Sequence, residues 1–440
     1  MAPNLGAEAH ILARNPCPSL EASMSISLRF LCPFILAGLP LGCVIVTTEP
    51  SPGGEDTPDT DTPDGEDDPP PETGSCDASI PSGWRSIPSA LSAGFGDPSE
   101  GSIRVNVWTG NEALLFADRK AAAFSPATNT WRLLTSPPYT FAGVWAWSGD
   151  TLFVDGSVNE GVDHAWYAYH PDTDTWDTFP QAPNVELSGY SAVWSTTTHE
   201  LLVWGGFAEP PNGFSEPTSN EGAAYDPATG TWRVLGASPL SGRGYHTAVW
   251  DGSRMIVYGG SEGEAAPLAD GAAYDPVTDT WITIATPNLV PRADASGFVG
   301  GPSGSAAIFW GGSIGPCYHC DPQEPTDGGA YDPATDTWTL IPSLDQSPFG
   351  AERFGVAVWE AGGKLWMLGG GSGGEDPPAG PFDDGVTFDL ATSTWSTIPG
   401  GHPLGSRRGA TAIWTGCEAI LYGGYDAGWG TLTDGAIYRP

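Results

Sequence analysis

Short apolar runs recur along most of the chain, separated by segments rich in glycine, proline and polar residues. Five of these runs end in paired glycines: LLVWGG (201–206), MIVYGG (255–260), AIFWGG (307–312), LWMLGG (365–370) and ILYGG (420–424). Another short apolar run comes before them, for example TAVW (247–250), VAVW (356–359) and TAIW (411–414). Short apolar runs bounded by turn residues are typical of buried β-strands, so the pattern predicts two consecutive strands in each unit.

An eight-residue motif follows these strand pairs, with an aromatic residue at its start and tryptophan at its end. It occurs six times, as FSPATNTW (124–131), YHPDTDTW (169–176), YDPATGTW (225–232), YDPVTDTW (274–281), YDPATDTW (331–338) and FDLATSTW (388–395). Asp-Pro-x-Thr forms a tight turn, because proline presets φ and the Asp and Thr side chains bond backbone groups. The motif therefore predicts a third and a fourth strand, with the aromatic residue and the tryptophan packed between neighbouring sheets.

Composition narrows the class of protein. The 440 residues include 53 Asp or Glu and 16 Lys or Arg, which gives a formal charge of −37. Nucleic acids and anionic lipid surfaces are not expected as partners, since binding them needs clustered basic groups. The 60 glycines and 43 prolines argue against long helices, whereas 19 tryptophans supply apolar area for a core. The chain is therefore predicted to be all-β.

The order of these elements resembles the kelch-repeat β-propellers, whose units carry the same paired glycines, Tyr-Asp and Trp at a similar spacing. The resemblance covers about residues 84–440 and implies a seven-bladed propeller of four-stranded antiparallel blades, as a domain of residues 76–440. The first two units are degenerate and lack the glycine pair. The last unit ends at Pro440 without its Trp strand, and Trp84–Pro88 supplies that outer strand and closes the ring.

Four cysteines follow Cys43 and allow three pairings: Cys76, Cys317, Cys320 and Cys417. On a propeller, the turn that holds Cys417 and the segment before the closing strand lie on the same face. The resemblance therefore implies a Cys76–Cys417 disulfide that pins the closure. Cys317 and Cys320 flank Tyr-His in a long loop; a local disulfide is favoured there over a zinc or copper site, because no fourth metal ligand is visible.

Residues 1–42 have the features of a signal region, with the true start expected at Met24. The apolar run from Phe30 to Gly42 is short for a membrane-spanning helix. It ends in Leu-Gly-Cys43, which resembles the lipobox of bacterial lipoproteins, although Pro40 departs from that pattern. The resemblance implies lipidation of Cys43, with plain secretion as the alternative.

Residues 43–75 are rich in acidic residues and proline and contain no Lys or Arg. Such a segment buries too little apolar surface to fold, so it is predicted to be a disordered, self-repelling tether. With a lipid anchor at Cys43, the protein is expected in the bacterial cell envelope, at the outer membrane or cell surface, and in contact with the membrane through the anchor only. Without the anchor it is expected to be secreted.

Candidate ligand-binding residues lie in the segments that lead into the predicted first strands. Arg243, Arg353 and Arg407 stand 16 residues before the first glycine of a pair, and the rest of the candidate set is His246, Arg292, Asp294 and Arg408. In a propeller these segments converge on one mouth, so the set predicts a local anion site, for instance for a carboxylated sugar. The alternative is that the arginines fasten neighbouring blades, which pairing with Asp or Glu would favour.

The functional expectation is a non-catalytic binding module for a carbohydrate or a protein partner, monomeric and without a cofactor or metal. The competing hypothesis is an enzyme of the mutarotase or galactose oxidase type acting on an anionic sugar, in which the arginines bind the carboxylate and His246 or Asp294 moves a proton. A third hypothesis is a purely structural envelope component. Likeness of fold alone is weak support for any activity.

Overall fold

The computed structural model describes the chain from Cys76 onward, with gaps. The described residues are 76, 79–95, 103–117, 120–139, 141–157, 164–183, 188–207, 218–263, 266–314, 325–349, 353–371, 380–398 and 402–440. The predicted signal region, the lipidation site at Cys43, the tether, and the Cys317 and Cys320 pair lie outside these residues.

Twenty-eight strands form seven four-stranded antiparallel sheets, which we number as blades 1 to 7. Strand β1 (Gly83–Ile87) comes first. Blades 1 to 3 contain β2 (Ile103–Trp108), β3 (Ala113–Ala117), β4 (Ala121–Ser125), β5 (Thr130–Leu134); β6 (Phe141–Trp147), β7 (Leu152–Ser157), β8 (His164–His170), β9 (Thr175–Phe179); β10 (Ser191–Ser195), β11 (Glu200–Trp204), β12 (Gly222–Asp226) and β13 (Thr231–Val234).

Blades 4 to 7 repeat the same order and end with the last strand of the chain. Their strands are β14 (Thr247–Trp250), β15 (Met255–Tyr258), β16 (Gly271–Asp275), β17 (Thr280–Thr283); β18 (Ser296–Gly300), β19 (Ala306–Trp310), β20 (Gly328–Asp332), β21 (Thr337–Ile341); β22 (Phe354–Ala361), β23 (Lys364–Gly371), β24 (Gly385–Asp389), β25 (Thr394–Thr397); β26 (Thr411–Trp414), β27 (Ala419–Tyr422) and β28 (Gly435–Arg439). In the part of the chain that the structure describes, short 3₁₀ turns span Ala90–Ala93 and Leu344–Gln346.

The first strand of each blade contacts the first strands of both neighbouring blades, from β2 through β26 and back to β2, so the seven sheets form a closed propeller ring. The second strand of a blade is buried on both faces, as in β15 and β19. The fourth strand is largely exposed, as in β17. This gradient explains why the apolar runs in the sequence mark the inner strands. Within the described residues, no helix has the length and apolar character needed to cross a bilayer.

Blade 7 is assembled from both ends of the folded region. Strand β1 pairs antiparallel with β28, with Trp84 opposite Tyr438, and β28 pairs in turn with β27. The side chain of Arg85 donates two hydrogen bonds to Glu418, of 2.5 and 2.6 Å. Cys76 and Cys417 form a disulfide, as the resemblance implied, with 5.6 Å between their Cα atoms. A covalent link and an ion pair therefore hold the segment around β1 against the turn between β26 and β27.

In blades 1 to 5 the tryptophan of the fourth strand joins the blade to the preceding one at the outer edge of the ring. Thr135, just after β5, is bonded through both of its backbone groups. Its N–H donates to the carboxylate of Asp174 at 2.8 Å, and its carbonyl accepts a hydrogen bond of 3.2 Å from Trp176 Nε1. The same two bonds hold Gly236 and Ala285. We call this arrangement, in which one Asp and one Trp bond both backbone groups of one residue in the preceding blade, the rim clamp.

The core lies between the sheets. The cluster between blades 3 and 4 combines Leu202 and Trp204 of β11 with Trp250, Met255 and other buried residues of blade 4. The motif aromatics take part as expected: the rings of Tyr274 and Trp281 have centroids 5.1 Å apart, and Trp281 reaches Trp204 of the preceding blade at 5.6 Å. Buried aromatic pairs of this kind add about 0.5–1.5 kcal/mol each beyond the area they bury.

Candidate binding face

Antiparallel pairing brings two kinds of connection to the same face of the ring: those that lead into the first strand of a blade and those between the second and third strands. We call this the top face. All seven candidate residues belong to connections of the first kind, before β14, β18, β22 and β26. The structure therefore places them on one face, and it assigns them different tasks.

The Arg243 side chain is completely buried and is held by its own blade. Its guanidinium donates to Asp270 Oδ1 at 2.7 Å, to Asp270 Oδ2 at 3.2 Å and to the carbonyl of Gly259 at 3.1 Å. Its Nε donates to the carbonyl of Ser241 at 3.1 Å. Gly259 is the first glycine of the pair, and Asp270 lies opposite it across the sheet, because the Gly259 N–H donates to the Asp270 carbonyl.

Three further arginines repeat this arrangement in blades 5, 6 and 7. Arg292 binds the carboxylate of Asp327 at 2.8 Å, Arg407 binds that of Asp434 at 3.0 and 3.1 Å, and Arg353 binds that of Asp384. Each also donates to the carbonyl of the first glycine in its blade: Gly311, Gly369 or Gly423. We call the arginine, the aspartate and this glycine together an arginine tie.

Three of the four ties also reach the blade before them. The carbonyl of Arg243 accepts a hydrogen bond of 2.9 Å from Gly206, the second glycine of blade 3, and the carbonyls of Arg292 and Arg407 accept the same bond from Gly260 of blade 4 and Gly370 of blade 6. The first glycine of the preceding pair must lack a side chain, because a Cβ on Gly259 would lie 2.4 Å from the Arg292 carbonyl. The glycine also has φ of +71°, which other residues rarely adopt. The paired glycines are thus the place where neighbouring blades meet.

The tie geometry bears directly on the predicted anion site. Four arginines of the predicted anion site have buried side chains that pair with aspartates. These contacts support the alternative interpretation, in which the arginines fasten the blades. The hydrogen bond from Arg243 lowers the pKa of Asp270. Arg353 likewise lowers the pKa of Asp384, against the opposing effect of burial. Both carboxylates are therefore ionised at neutral pH and balance the buried guanidinium groups.

The aspartates of the arginine ties have a signal in the sequence that the candidate set did not include. Each aspartate directly precedes the glycine that begins a third strand, so Asp-Gly occurs at 270–271, 327–328, 384–385 and 434–435. The number of residues between the glycine pair and Asp-Gly varies, which conceals the relation in a linear reading. Strand register reveals it, because the aspartate stands opposite the first glycine.

His246 is buried between blades 3 and 4 and does not reach the surface of the mouth. Its Nε2 lies 2.8 Å from Ser191 Oγ, and its ring packs edge-on against Trp204, with centroids 4.8 Å apart. Burial, reinforced by the positive charge of Arg243, lowers the pKa of His246 to about 3. The imidazole is therefore neutral at physiological pH, and its position is that of a packed residue.

Five residues around the mouth have left-handed backbone conformations, and four of them stand two positions after the arginine of a tie. Gly189, Tyr245, Asp294, Gly355 and Gly409 have φ between 52° and 66°. Their backbones join across blades: Tyr245 N–H donates to the Gly189 carbonyl, Asp294 N–H to the Tyr245 carbonyl and Gly409 N–H to the Gly355 carbonyl, each at 2.7 Å. Three of the five are glycine, as this conformation favours. Tyr and Asp at the other two positions adopt a conformation that carries strain, which is concentrated at functional sites in proteins.

Arg408 differs from its four buried counterparts. Its guanidinium carbon lies 4.1 Å from the centre of the Trp429 ring, and its backbone pairs with Tyr425, the residue after the glycine pair of blade 7. It is the one buried arginine of the described residues that has no carboxylate partner. Its Nε and Nη2 atoms are buried and bond to nothing. Of the seven candidates, it is the arginine that combines two unused guanidinium nitrogens with the lack of a carboxylate partner among the described residues.

Comparison with known proteins assigns the family. The KLHDC2/KLHL20/DRC7 Kelch-repeats domain matches residues 142–370, just over half of the 440 residues. A "Kelch domain-containing protein" of Sulfurisphaera tokodaii is 24% identical over 136 residues, which are 30% of this chain and 18% of that protein; this chain thus spans less than a fifth of its relative. A solved structure, "Structure of YjhT", has 17% identity and a TM-score of 0.48, and covers 69% of this chain and 95% of its own. With the repeat matched over most of blades 2 to 6, the chain belongs to the Kelch-repeat family.

Proposed function

We propose that this protein is a non-catalytic binding module of the bacterial cell envelope, which holds a carbohydrate or a protein partner on the top face of its propeller. The arginine ties carry the proposal. Their side chains are at most 6% exposed and fix the connections before β14, β18, β22 and β26 to their own blades. The backbone carbonyls of Arg243, Arg292 and Arg407 also accept hydrogen bonds from the preceding blade. A rigid scaffold that presents loops at one end is the usual arrangement of a binding face.

The chemistry of the mouth favours binding over turnover. A general base works best when its pKa is near the working pH and it can reach the substrate. His246 meets neither condition, since it is buried and has a pKa of about 3. Asp294 remains at the mouth as the other candidate for moving a proton.

Envelope location is the part of the proposal that depends on the sequence of residues 1–75. The lipobox-like Leu-Gly-Cys43 and the acidic, proline-rich tether support a propeller held at a distance from a membrane by a lipid anchor. Expression of the full chain in a bacterial host, followed by mass spectrometry of the mature N-terminus, tests this. An acylated Cys43 is the expected result, and an unmodified mature N-terminus would remove the anchor.

A binding screen with two matched variants tests the binding role. The full chain is applied to immobilised glycans, sugar acids and envelope proteins, beside a Tyr245→Gly/Asp294→Gly variant and a Val277→Ala variant. The double variant installs the residue that the fold already uses at Gly355 and Gly409, so it removes side chains from the mouth without straining the backbone. Val277 is 65% exposed in the turn between the third and fourth strands, where Ala228 and Ala334 stand in blades 3 and 5.

We expect at least one bound ligand, weaker binding by the double variant, unchanged binding by Val277→Ala, and no chemical change of the ligand in NMR spectra. Turnover of a bound sugar would replace the proposal with the enzyme hypothesis. Equal binding by all three proteins would move the binding surface away from the mouth. Absence of any ligand for the folded protein would favour a structural envelope component.

A further inference from the structure

Arg407 and Arg408 are neighbours in sequence, yet the structure treats them in opposite ways. Arg407 donates to both carboxylate oxygens of Asp434, to two carbonyls of blade 7 and, through Nε, to the carbonyl of Gly405. Arg408 is 91% buried by side-chain and backbone packing and leaves Nε and Nη2 without an acceptor. An unpaired buried charge is costly, so a guanidinium in this state calls for a counter-ion.

The unused atoms form one edge of the guanidinium. Nε and Nη2 point in parallel directions and match the two oxygens of a carboxylate, which is the geometry of the bidentate arginine–carboxylate pair. In the arginine ties Nη2 always donates to the aspartate carboxylate, and Nε donates to a backbone carbonyl in Arg243, Arg292 and Arg407. The structure therefore offers one free bidentate edge at the top of blade 7.

The ring of Trp429 lies against the guanidinium of Arg408. It is 45% exposed, the largest exposed aromatic of the described residues, and its ring lies 4.1 Å from the Arg408 guanidinium carbon. The residue has φ of +62°, a conformation that a bulky side chain rarely adopts. The Asp426 carboxylate stabilises the turn, because it accepts hydrogen bonds of 2.8 Å from the N–H groups of Gly428 and Gly430. The turn therefore places the indole ring of Trp429 beside the Arg408 cation although the backbone of Trp429 is strained.

We propose that Arg408 and Trp429 form a binding site for a sugar that carries one carboxylate, such as a uronic acid. The indole rotates outward from the guanidinium, the carboxylate of the sugar bonds the Nε and Nη2 edge, and the apolar face of the sugar ring stacks on the indole. This assignment rests on the proposed binding function of the top face and names its ligand class. Arg408 is the anchor for charge, and Trp429 supplies the apolar surface.

Two observations favour a singly charged sugar over an acidic peptide or a polyphosphate. The chain has a formal charge of −37, and exposed Asp426 lies three residues from Trp429, so a ligand with several negative charges meets repulsion around the site. A flat, rigid indole with one face available matches a pyranose ring in size and in its mixture of apolar face and polar edge. One carboxylate on a neutral, hydroxylated body fits both conditions.

Isothermal titration calorimetry of the full chain with glucuronate and galacturonate tests the site, with glucose, galactose and acetate as comparison ligands. The variants are Arg408→Gln, Arg408→Lys, Trp429→Gly and the control Val277→Ala. Glycine relieves the backbone at position 429, so Trp429→Gly removes the ring without destabilising the fold. Circular dichroism of each variant confirms that it is folded, and Arg408→Lys retains the charge if Arg408→Gln fails to fold.

We expect a uronic acid to bind at least 10-fold more tightly than its neutral sugar or acetate. Loss of the charged bidentate contact should weaken binding about 10- to 100-fold in Arg408→Gln, with a smaller loss in Arg408→Lys. Trp429→Gly should lose about 10-fold, and Val277→Ala should bind as the unaltered protein does.

Three results would overturn the assignment. One is uronic acid binding that survives both Arg408→Gln and Trp429→Gly; the second is equal affinity for acetate and uronic acids; the third is tighter binding of an acidic peptide than of any sugar. In each case the binding function of the top face is judged separately by the Tyr245→Gly/Asp294→Gly variant. If that variant alone loses a ligand, the propeller is a binding module whose site is elsewhere on the mouth.

Discussion

Blades 4 to 7 and blades 1 and 2 close the same ring with different chemistry at its top. In blades 4 to 7 an arginine tie reaches each glycine pair. Blades 1 and 2 lack the glycine pair, and the connections before β2 and β6 contain no arginine. There Phe116 packs against Tyr169 and Trp176, with centroids 5.3 and 5.7 Å away, and Tyr139 fills the space that Gly156 leaves.

A buried carboxylate accompanies this aromatic packing. Asp155 of β7 is 3% exposed, and burial together with the charge of Asp155 raises the pKa of Tyr190, which bonds to it. The degenerate repeats are thus a change of fastening from charge pairs to aromatic contacts, and the ring remains closed. Deviation from a repeat motif marks a different local solution to the same packing problem, and it need not mark a weakened blade.

Removal of an arginine tie should have the largest effect on the difference between the two regions. Arg243→Ala leaves a cavity, an unpaired Gly259 carbonyl and a carboxylate without its cation, so we expect a loss of about 3 kcal/mol in the free energy of unfolding. Arg254→Ala in the same blade is the control, because Arg254 is half-buried and forms no ion pair with another described residue; a change of about 0.5 kcal/mol or less is expected there. Urea unfolding measures both, and equal losses would contradict the special role of the tie.

Acid should act on the junction of blades 3 and 4. The pKa of His246 is about 3 in the folded chain and near 6.5 in the unfolded chain, so between these values the unfolded state binds a proton that the folded state does not. The contribution of His246 to the free energy of unfolding is therefore constant above pH 6.5. Below pH 6.5 this contribution falls by up to about 1.4 kcal/mol per pH unit.

His246→Gln keeps a hydrogen-bonding side chain near Ser191 and removes the titration. The free energy of unfolding should fall less between pH 7 and pH 4.5 in this variant than in the unaltered protein. The effect of carboxylate titration is shared by both proteins. Parallel pH profiles for the two proteins would show that His246 is not the group responsible.

The smallest expected effect tests what the two regions have in common. The rim clamp occurs in blade 2 through Asp174 and in blade 4 through Asp279. Glycine already stands at this position as Gly230 in blade 3. Replacing either aspartate with glycine should cost about 1 kcal/mol through loss of the hydrogen-bond acceptor, and the two losses should agree within about 0.5 kcal/mol. Asp172→Ala, in the same turn, is the control. Clearly unequal losses would extend the difference between the regions to the rim.

The repeat motifs predicted the propeller, its seven blades and the Cys76–Cys417 pairing, because strands, turns and glycine pairs are local features that recur in order. The role of Arg243 and its counterparts was not evident, since the distance in sequence from the glycine pair to the Asp-Gly partner changes with loop length. The difference between Arg407 and Arg408 could not be predicted, because two adjacent arginines look alike in sequence. Only the direction of each side chain decides that Arg407 pairs with an aspartate and that Arg408 does not.

The pairing of β1 with β28 has a consequence for how the ring is made. The ribosome releases β1 more than 340 residues before β28, so at about 5–20 residues per second the first strand waits roughly 20 to 70 s for its partner. Until then Trp84 and the edge of the nascent sheet have no complement. The architecture therefore requires either a partner that shields the first strand during synthesis or a slow final closure after the chain is released.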